Sequence, residues 1–369
     1  MTIEPRTGVS SCSAIPLVLT ATGWDIRLAE RYSVMVEQTS RRAYVGGVGS
    51  AVMLGAAGCL GGGGGDDAVT IAHMPIFPDL QYYVMESEGY FASIDATIEN
   101  QEFGNGPDIV QAMSGGEIDI AMFGIVPAMI TIDRGIAARV TAANIKEPMA
   151  ILSHDSFGPL WEEHGSEAFD IWAEENGEQF TFGTFPQGSV PDVLLRYWLQ
   201  QEGVDPEEDV TITEINGANA VFQAIANDEI DGASIMEPVP SRVAEEGLSY
   251  ETFRTSAEIM PGQPAAVTLM TDSVRESPVA TQFLEQHLQA TQFIDENPSA
   301  TADIVDSGIG MPAEQAQEAL SGPLANFVTD PQEIEAGTEI FAEFAAENGQ
   351  TDEQLALDQI FDYSVYDSV

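Results

Sequence analysis

The sequence predicts an α/β protein made of two similar lobes, and three observations lead to that prediction. A segment occurs twice, each copy ends in a buried strand, and a matching unit precedes each copy. The copies read PDIVQAMSGGEIDIAMFGIV at residues 107 to 126 and NAVFQAIANDEIDGASIMEP at residues 219 to 238. The Glu-Ile-Asp triplets that end at Asp119 and Asp231, and the Gln-Ala pairs before them, align at one constant offset. A constant offset indicates an internal repeat rather than chance.

Each copy predicts a helix, a turn and a buried strand. Before the turn, apolar residues fall at helical spacing, which indicates a helix of about three turns. These residues are Ile109, Val110, Ala112 and Met113 in the first copy and Val221, Phe222, Ala224 and Ile225 in the second. After the turn, the apolar runs from Ile118 to Val126 and from Ile230 to Met236 are typical of parallel strands covered on both faces.

The similarity extends upstream of both copies. Residues 70 to 90 and residues 181 to 204 each predict a strand, a loop and a helix closed by a glycine. Second strands at Ala96 to Glu99 and Val210 to Thr213 then complete a β-α-β-α-β unit in each lobe. The second loop is longer than the first, near Gln187 to Ser189.

Acidic residues dominate the composition. The chain of 369 residues has 60 aspartates and glutamates against 12 lysines and arginines, a net charge of -48. Such a surface repels nucleic acid, because proteins bind nucleic acid mainly through its phosphates. The excess is spread along the chain, whereas an acidic interaction tail would form one block. Lysine occurs once, as Lys146, so we interpret the charge as adaptation to a very salty medium; an ordinary acidic secreted protein is the alternative.

Cysteine and histidine give no sign of metal or thiol chemistry. The two cysteines, Cys12 and Cys59, both precede the repeats. A lone histidine is far more often a packed or surface residue than a ligand. The four histidines stand singly, as His73, His154, His164 and His287. The sequence therefore predicts no metal, no cofactor and no disulfide in the folded part.

The N-terminal region has the form of an export signal. Residues 1 to 34 show no clear pattern, and Met35 is a candidate for the true start. The stretch SRRAYV, from Ser40 to Val45, resembles a twin-arginine signal, and LGAAGC, ending at Cys59, resembles a lipoprotein processing site. The resemblance implies a lipid on Cys59 and a position on the extracellular face of the cell membrane. An uncleaved N-terminal membrane helix is the alternative.

The rest of the chain divides into a tether and two lobes. A run of glycines after Cys59 predicts a flexible tether. The apolar segment from Val140 to Ser153 and the segment from Tyr250 to Met270 predict two crossings between the lobes, hence a hinge and a cleft. The predicted boundaries are residues 1 to 59 for the N-terminal extension and signal, 60 to 68 for the tether, 69 to 148 with 257 to 369 for lobe 1, and 149 to 256 for lobe 2.

Beyond Asp272 the pattern is helical. Phe283, Leu284 and Leu288 stand at helical spacing. Prolines are expected at helix starts, because the first turn needs no N–H from them. Those at predicted starts are Pro278, Pro298, Pro312 and Pro331. We expect these helices to cover lobe 1.

Four short motifs follow one another in an order that resembles a known family. They are Glu88-Gly89-Tyr90-Phe91, Ser114-Gly115-Gly116-Glu117-Ile118-Asp119, Asn227-Asp228-Glu229-Ile230-Asp231 with Glu237-Pro238, and Phe293-Ile294-Asp295-Glu296-Asn297-Pro298. The order is similar to that of substrate-binding proteins of nitrate, taurine and aliphatic-sulfonate ABC importers, over about residues 69 to 345. The resemblance implies a type II periplasmic-binding-protein fold, with a mixed sheet and flanking helices in each lobe. It also implies a monomer that captures a small solute in the cleft between the lobes and delivers it to an ABC permease.

Candidate ligand contacts follow from where helices begin and strands end. First turns of helices present unpaired N–H groups that suit an anion or a polar oxygen, and open α/β sheets bind ligands at strand exits. The candidates are Met74, Pro75, Ile76 and Phe77 in the first loop of lobe 1, Gln187, Gly188 and Ser189 in that of lobe 2, and Gly124, Ile125, Met236 and Glu237 at strand exits. Ser189 is explained equally well as a helix N-cap with Asp192 as its capping partner.

The charges near these loops predict a neutral or singly charged solute. Asp79 and Asp192 place negative charge in both first turns, which disfavours a multiply charged anion. Arg196 and Arg242 fall inside or near helices where they can face solvent, so no guanidinium clamp is predicted. Candidate walls for an apolar or planar group, which are explained equally well as core, are Phe77, Phe123, Phe185 and Met236.

Two other functions remain open from the sequence. One is an enzyme of the same fold, such as a thiamin-pyrimidine synthase or a menaquinone-pathway enzyme. The repeats contain no cysteine, no clustered histidines and no evident general acid–base pair, which disfavours it. The other is a receptor for a different kind of carrier, such as a tripartite transporter.

The charge predicts that the fold depends on salt. Below about 0.1 M salt the Debye length reaches roughly 10 Å, so many of the carboxylates repel one another, whereas molar salt shortens it to about 3 Å. We expect the thermal midpoint to rise steeply from low to molar salt in a thermal melt. A midpoint that is flat across this range would remove the salt-adaptation interpretation and leave the fold prediction standing.

Overall fold

The computed structural model describes residues 68–369, and the structural statements below concern that part of the chain. The export signal, Cys59 and nearly all of the predicted tether lie outside it. Ten strands form two five-stranded sheets. The strands are β1 (Ala68–His73), β2 (Thr97–Glu102), β3 (Ile120–Gly124), β4 (Ala138–Ala143), β5 (Met149–His154), β6 (Thr181–Thr184), β7 (Thr211–Glu214), β8 (Gly232–Met236), β9 (Tyr250–Thr255) and β10 (Ala266–Thr271).

Helices cover both sheets. The α-helices are α1 (Leu80–Ser87), α2 (Gly106–Ser114), α3 (Ile125–Asp133), α4 (Phe157–His164), α5 (Ala168–Asn176), α6 (Val190–Gln201), α7 (Ala218–Ala226), α8 (Val239–Glu245), α9 (Ser256–Ile259), α10 (Asp272–Arg275), α11 (Pro278–Glu296), α12 (Pro298–Ile309), α13 (Ala313–Leu320), α14 (Glu335–Glu347), α15 (Leu357–Ile360) and α16 (Tyr363–Tyr366). Short 3-10 helices lie at Phe77–Asp79, Tyr90–Ser93, Gly165–Glu167 and Pro331–Ile334. No helix between residues 68 and 369 is long and apolar enough to cross a membrane.

The two sheets have the same mixed topology. The first has the order β2-β1-β3-β10-β4 and the second the order β7-β6-β8-β5-β9. In the first sheet, β1 pairs parallel with β2 and β3, while β10 pairs antiparallel with β3 and β4. In the second sheet, β6 pairs parallel with β7 and β8, while β5 pairs antiparallel with β8 and β9. The predicted fold class of two α/β lobes with mixed sheets is confirmed.

The chain changes sheets twice. It leaves the first sheet after β4 and enters the second at β5, and it leaves the second after β9 and returns at β10. We name the part built on the first sheet lobe 1 and the part built on the second lobe 2. The first predicted boundary, at residues 148 and 149, lies where β5 begins, and the second, at residues 256 and 257, lies inside α9. Because α9 packs on β5 and β9, its contacts do not place a lobe boundary inside it. The predicted boundaries between the lobes remain a prediction.

The repeat is explained by one hydrogen-bonding pattern that occurs in both lobes. The Asp119 carboxylate accepts the Thr70 N–H at 2.9 Å, and the Asp119 N–H donates to the Thr70 carbonyl at 3.0 Å. In lobe 2 the Asp231 carboxylate accepts the Thr181 N–H at 2.8 Å, and the Asp231 N–H donates to the Thr181 carbonyl at 2.7 Å. Each aspartate therefore ties the start of the third strand of its unit to the first strand.

One apolar run is divided between two elements. The sequence predicts one strand from Ile118 to Val126. In the structure, β3 ends at Gly124 and α3 begins at Ile125. The helix is buried through most of its length, so its sequence is apolar on all sides. A short apolar run does not distinguish a buried strand from a buried helix, which explains the difference.

The C-terminal helices pack on lobe 1. Pro278 and Pro298 occupy the first positions of α11 and α12, as predicted. The buried face of α11 includes Phe283 and Leu284, and this helix packs against α1. The C-terminal helices therefore hold α1 in place, the helix that follows the first loop of the cleft.

Candidate functional site

A narrow cavity lies between the lobes where strand exits and helix starts meet. Both lobes and the strand ends next to both crossings contribute to its wall. The space open to the centre of a water molecule is about 30 Å³. One water-sized sphere needs roughly 10–15 Å³ by this measure, so the cavity has room for about two or three groups of that size. The lining residues are Met74, Ile76, Pro78, Gly106, Gly124, Pro127, Met149, Phe185, Ser189, Val190, Pro191, Met236, Ala265 and Ala266.

The structure brings together some of the predicted ligand contacts and separates others. Those that line the cavity are Met74, Ile76, Gly124, Ser189 and Met236. Pro75 lines a second space between the lobes. Gln187 is exposed, and Gly188 is buried with a positive φ of 84°. Ligand contact at all of these positions stays a prediction.

Three further candidates are buried outside the cavity lining. The Phe77 N–H donates to the Glu237 carbonyl at 3.3 Å, a contact between the lobes, and the Ile125 N–H donates to the Ala265 carbonyl at 2.7 Å. The Glu237 carboxylate accepts the Ser241 hydroxyl at 2.8 Å and the Ser241 N–H at 3.1 Å. Burial raises the pKa of Glu237, and the two bonds from Ser241 oppose that shift. These three residues hold the cleft walls in place.

Ser189 is the only polar side chain in the cavity lining of the described chain. It is the N-cap of α6, where its hydroxyl oxygen accepts the Asp192 N–H at 3.5 Å. The structure therefore confirms that Ser189 caps the N-terminus of α6. A hydroxyl that accepts one N–H keeps its own hydrogen, so Ser189 can still donate a hydrogen bond into the cavity.

Buried aspartates occupy the N–H groups of both first loops. The Asp79 carboxyl group accepts the Met74 N–H at 2.8 Å, and the Asp192 carboxyl group accepts the Gly188 N–H at 3.2 Å. Burial raises the pKa of Asp79 well above its usual range. Burial also raises the pKa of Asp192, although the nearby Arg196 guanidinium opposes that shift. Donors that would suit an anionic solute at these helix starts are thus already paired within the protein.

Several cavity residues were missed by the sequence prediction. Met149 and Ala266 begin the antiparallel strands β5 and β10, and Ala265 directly precedes β10. The sequence repeat could not indicate these residues, because the aligned copies contain only the parallel strands and their helices. Val190 and Gly106 lie at helix starts, and the helix-start rule could have included them.

Arg196 and Arg242, which the sequence allows to face solvent, both make contacts within the protein. The Arg196 guanidinium donates to Asp192 at 2.7 Å and also contacts Glu207. Arg242 lines the second space between the lobes, which also includes Pro75. Arg242 therefore lies beside the cleft and is partly buried, and the absence of a guanidinium clamp stays a prediction. Helix α8 begins directly after Pro238, which places Arg242 beside α7 and holds its guanidinium 3.8 Å from the centre of the Phe222 ring.

The lobes contact each other around the cavity. The Asn105 amide in lobe 1 donates to the Asn216 side-chain oxygen in lobe 2 at 2.7 Å. Gly124 faces Val190 so closely that an added Cβ would lie 2.7 Å from Val190 Cγ2. Real Cβ atoms essentially never approach so near, and this contact joins the two lobes. The lobes are therefore in contact at Gly124, where a larger residue would force Val190 or one of the lobes to move.

We expect Gly124→Ala to shift the lobes toward an open state. The glycine has a φ of -64°, which alanine adopts freely, so the backbone is not strained. The tightest contact of the added Cβ is with Val190 of lobe 2, and the contacts with Pro127 of lobe 1 are less close, at 3.2 and 3.3 Å. A longer distance between spin labels on the two lobes, and weaker binding of any solute held by the closed state, would show the shift. Gly115→Ala is the matched control, because its Cβ would meet only Ala112 and Glu117 of lobe 1. An unchanged interlobe distance would show that Val190 yields instead.

Comparisons with known proteins agree with this architecture. The NMT1-like family matches residues 62–307. The bicarbonate-binding protein CmpA of Synechococcus elongatus is 24% identical over 233 residues, which cover 58% of this chain and 51% of that protein. The chain thus spans about half the length of the bicarbonate-binding relatives that it matches.

Solved structures show the same fold at low identity. The periplasmic nitrate-binding protein NrtA of Synechocystis PCC 6803 has a TM-score of 0.65 at 15% identity, covering 82% of this chain and 87% of its own. The alkanesulfonate-binding protein SsuA of Xanthomonas axonopodis pv. citri, bound to MOPS, has a TM-score of 0.64 at 15% identity, covering 80% and 98%. The predicted periplasmic-binding-protein fold is confirmed. Because the family match extends over more than half of the chain, the protein belongs to the NMT1-like family.

Proposed function

We propose that this protein is the solute-binding component of an ABC importer. The observation that carries the proposal is a cavity to which both lobes contribute strand exits and helix starts, between lobes joined by two crossings. Relatives named as binding proteins for bicarbonate and for nitrate support it. The partners are a small solute, a membrane permease and its ATPase. The protein binds its solute without converting it and acts as a monomer.

The two crossings are the hinge of this proposal. They lie side by side, where Lys146 pairs with Pro264 and the Glu147 N–H donates to the Gln263 carbonyl at 2.9 Å. The Glu147 carboxylate also accepts the Gly262 N–H. Since the crossings are joined to each other, the lobes open and close as two bodies about one line. A solute that touches both lobes favours the closed state by its differential contacts.

The cavity favours a small solute with little charge. Its wall is apolar apart from the Ser189 hydroxyl, and the neighbouring loop N–H groups of Met74 and Gly188 are paired with Asp79 and Asp192. A multiply charged anion would lose its hydration there without enough donors to replace it. The solute is therefore neutral or singly charged. A hydrogen bond from Ser189 orients it.

We place the protein on the outer face of the cell membrane in a very salty medium. Cys59 carries a lipid, and the glycine-rich tether after it holds the lobes off the membrane. The charge of -48 keeps the surface hydrated at high salt. Both inferences rest on the sequence alone.

Solute capture is tested with a thermal-shift screen in molar salt across nitrate, bicarbonate, sulfonates, pyrimidines and small carboxylates. A bound solute raises the thermal midpoint by mass action. We expect Ser189→Ala to weaken the binding of a hit by about 3- to 30-fold, the loss of roughly one hydrogen bond plus part of a helix cap.

Ser114→Ala is the control for this screen. Ser114 is an exposed helical serine outside the cavity, and its hydroxyl only donates to the Val110 carbonyl of its own helix. A hit whose affinity survives Ser189→Ala, Gly124→Ala and Met236→Ala would contradict the site. Turnover of a hit would favour an enzyme of this fold.

Lipid attachment is tested with Cys59→Ser. Without the thiol no lipid can be attached, so we expect the variant to lose membrane retention and the mass of the lipid. Cell fractionation and mass spectrometry measure both. If retention and mass equal those of the wild type, an uncleaved N-terminal helix replaces the lipid as the anchor.

A further inference from the structure

Helix α6 of lobe 2 has two apolar faces. The side chains on one face belong to a buried cluster within lobe 2, and they are Leu195, Trp198 and Leu199. The other face is formed by residues at helical spacing that belong to, or pack against, a buried cluster shared by both lobes. These residues are Val190, Val193, Leu194 and Tyr197. Helix α6 therefore connects the core of lobe 2 with the contact between the lobes.

Helix α14 of the C-terminal region meets the second face of α6. The Tyr197 ring on α6 and the Phe344 ring on α14 lie 5.8 Å apart, centre to centre, at an interplanar angle of 75°. This edge-to-face arrangement is favourable for an aromatic pair. Further along both helices, the Gln200 side-chain amide donates to the Asn348 side-chain oxygen at 3.4 Å. Helix α14 thus makes one apolar and one polar contact with lobe 2.

The start of α14 lies against both crossings of the hinge. An added Cβ on Gly337 would collide with Pro264 and would lie 2.8 Å from the Gly262 carbonyl oxygen, so the helix backbone touches the second crossing directly. Just before α14, the Glu333 carboxylate forms an ion pair with Lys146 of the first crossing at 2.6 Å. The helix therefore begins at the hinge.

The rest of α14 is held by lobe 1. The helix packs against α3 and α15. After the helix, the Asp352 N–H donates to the Asp133 carboxylate at the end of α3 at 3.0 Å. Between Gly337 and Phe344 the helix rises about 10 Å. The aromatic contact with lobe 2 is thus made well away from the contact with the hinge, by a helix fixed to lobe 1.

We propose that α14 is a latch that holds the lobes in contact before a solute binds. Rotation of the lobes about the crossings separates Tyr197 from Phe344, because Phe344 is fixed to lobe 1 at a distance from the hinge contact at Gly337. The latch therefore stabilises the arrangement in which α6, with Ser189 at its start, lies against lobe 1.

The latch raises the apparent affinity of the cavity for a solute. A protein whose binding-competent arrangement is more populated binds more tightly by that fraction. This effect on affinity rests on the proposed function, whereas the effect on the lobes does not. Helix α14 lies beyond residue 307, where the family match ends.

The test measures the distance between the lobes without a solute, in molar salt. Spin labels are attached at Glu99→Cys on β2 and Thr213→Cys on β7, exposed positions on edge strands of the two sheets. Cys12→Ser and Cys59→Ser in the same full chain remove the other thiols. The distribution of label distances gives the ratio of open to contacting molecules.

We expect Tyr197→Ala and Phe344→Ala each to raise this ratio about 2- to 10-fold, because each removes the same aromatic pair. Since the two substitutions lie on different lobes but share one contact, the double variant is expected to open no further than the more open single variant. The affinity for a hit from the solute screen falls by no more than the same factor.

Phe361→Ala is the matched control. Phe361 is as buried as Phe344, 4% against 5% exposed, but its ring stacks on Tyr363 and its backbone pairs with Val140 of lobe 1. We expect this variant to lower the thermal midpoint without changing the distance between the lobes. An equal rise in the open fraction would show a general loosening of lobe 1 and overturn the latch.

The remaining outcomes also decide the role of α14. Unchanged distances in Tyr197→Ala and Phe344→Ala would show that the two helices stay together as the lobes rotate, and a shorter distance would show that their contact holds the lobes apart. Either result overturns the latch. If Phe344→Ala does not fold, Tyr197→Ala alone decides. The distances are measured without a solute, so a failure of solute capture leaves this test intact.

Discussion

A buried aspartate at the start of the first helix shapes the cleft wall of both lobes. The two occur in matching Pro-Asp pairs, at Asp79 and Asp192, and each carboxyl group accepts an N–H of the loop before its helix. Free N–H groups at a helix start form a ready anion site. Here the protein supplies its own acceptor, so these loops turn apolar side chains toward the cleft. The pairing makes these two N–H groups unavailable to a ligand, and the cavity beside them is lined by apolar side chains such as Met74 and Val190.

Apolar walls and acidic surfaces act in opposite directions on closure. Contact between the lobes removes apolar surface from water at about 25 cal/mol per Å², and this favours the closed state without a solute. Carboxylates spread over both lobes repel one another and favour opening unless salt screens them. Few direct polar bonds, such as that between Asn105 and Asn216, join the lobes. We therefore expect high salt to favour the closed state even before a solute binds.

The sequence predicted the parallel units of the repeat but not the antiparallel strands that complete each sheet. Asp119 and Asp231 recur because each ties a third strand to a first strand, so aligning the copies located both parallel units. The antiparallel strands have no repeated signal, and Met149 and Ala266 reach the cavity through them. The sequence could not show which way the Arg242 side chain points, because that depends on the packing of α8 against Phe222. Periodicity shows which face of a helix is apolar but not which neighbour the helix meets.

The lobes share a fold but differ in what they give the cleft. Lobe 1 lines the cavity with apolar side chains such as Met74 and Ile76 and leaves the second oxygen of Asp79 without a hydrogen-bond partner among the described residues. Lobe 2 pairs the equivalent Asp192 with Arg196 and adds the Ser189 hydroxyl and the Arg242 guanidinium. The hydroxyl that lines the cavity and the guanidinium that lines the second space are thus both on lobe 2. We therefore expect Ser189 of lobe 2 to orient a solute in the cavity, and the apolar side chains of lobe 1 to exclude water from it.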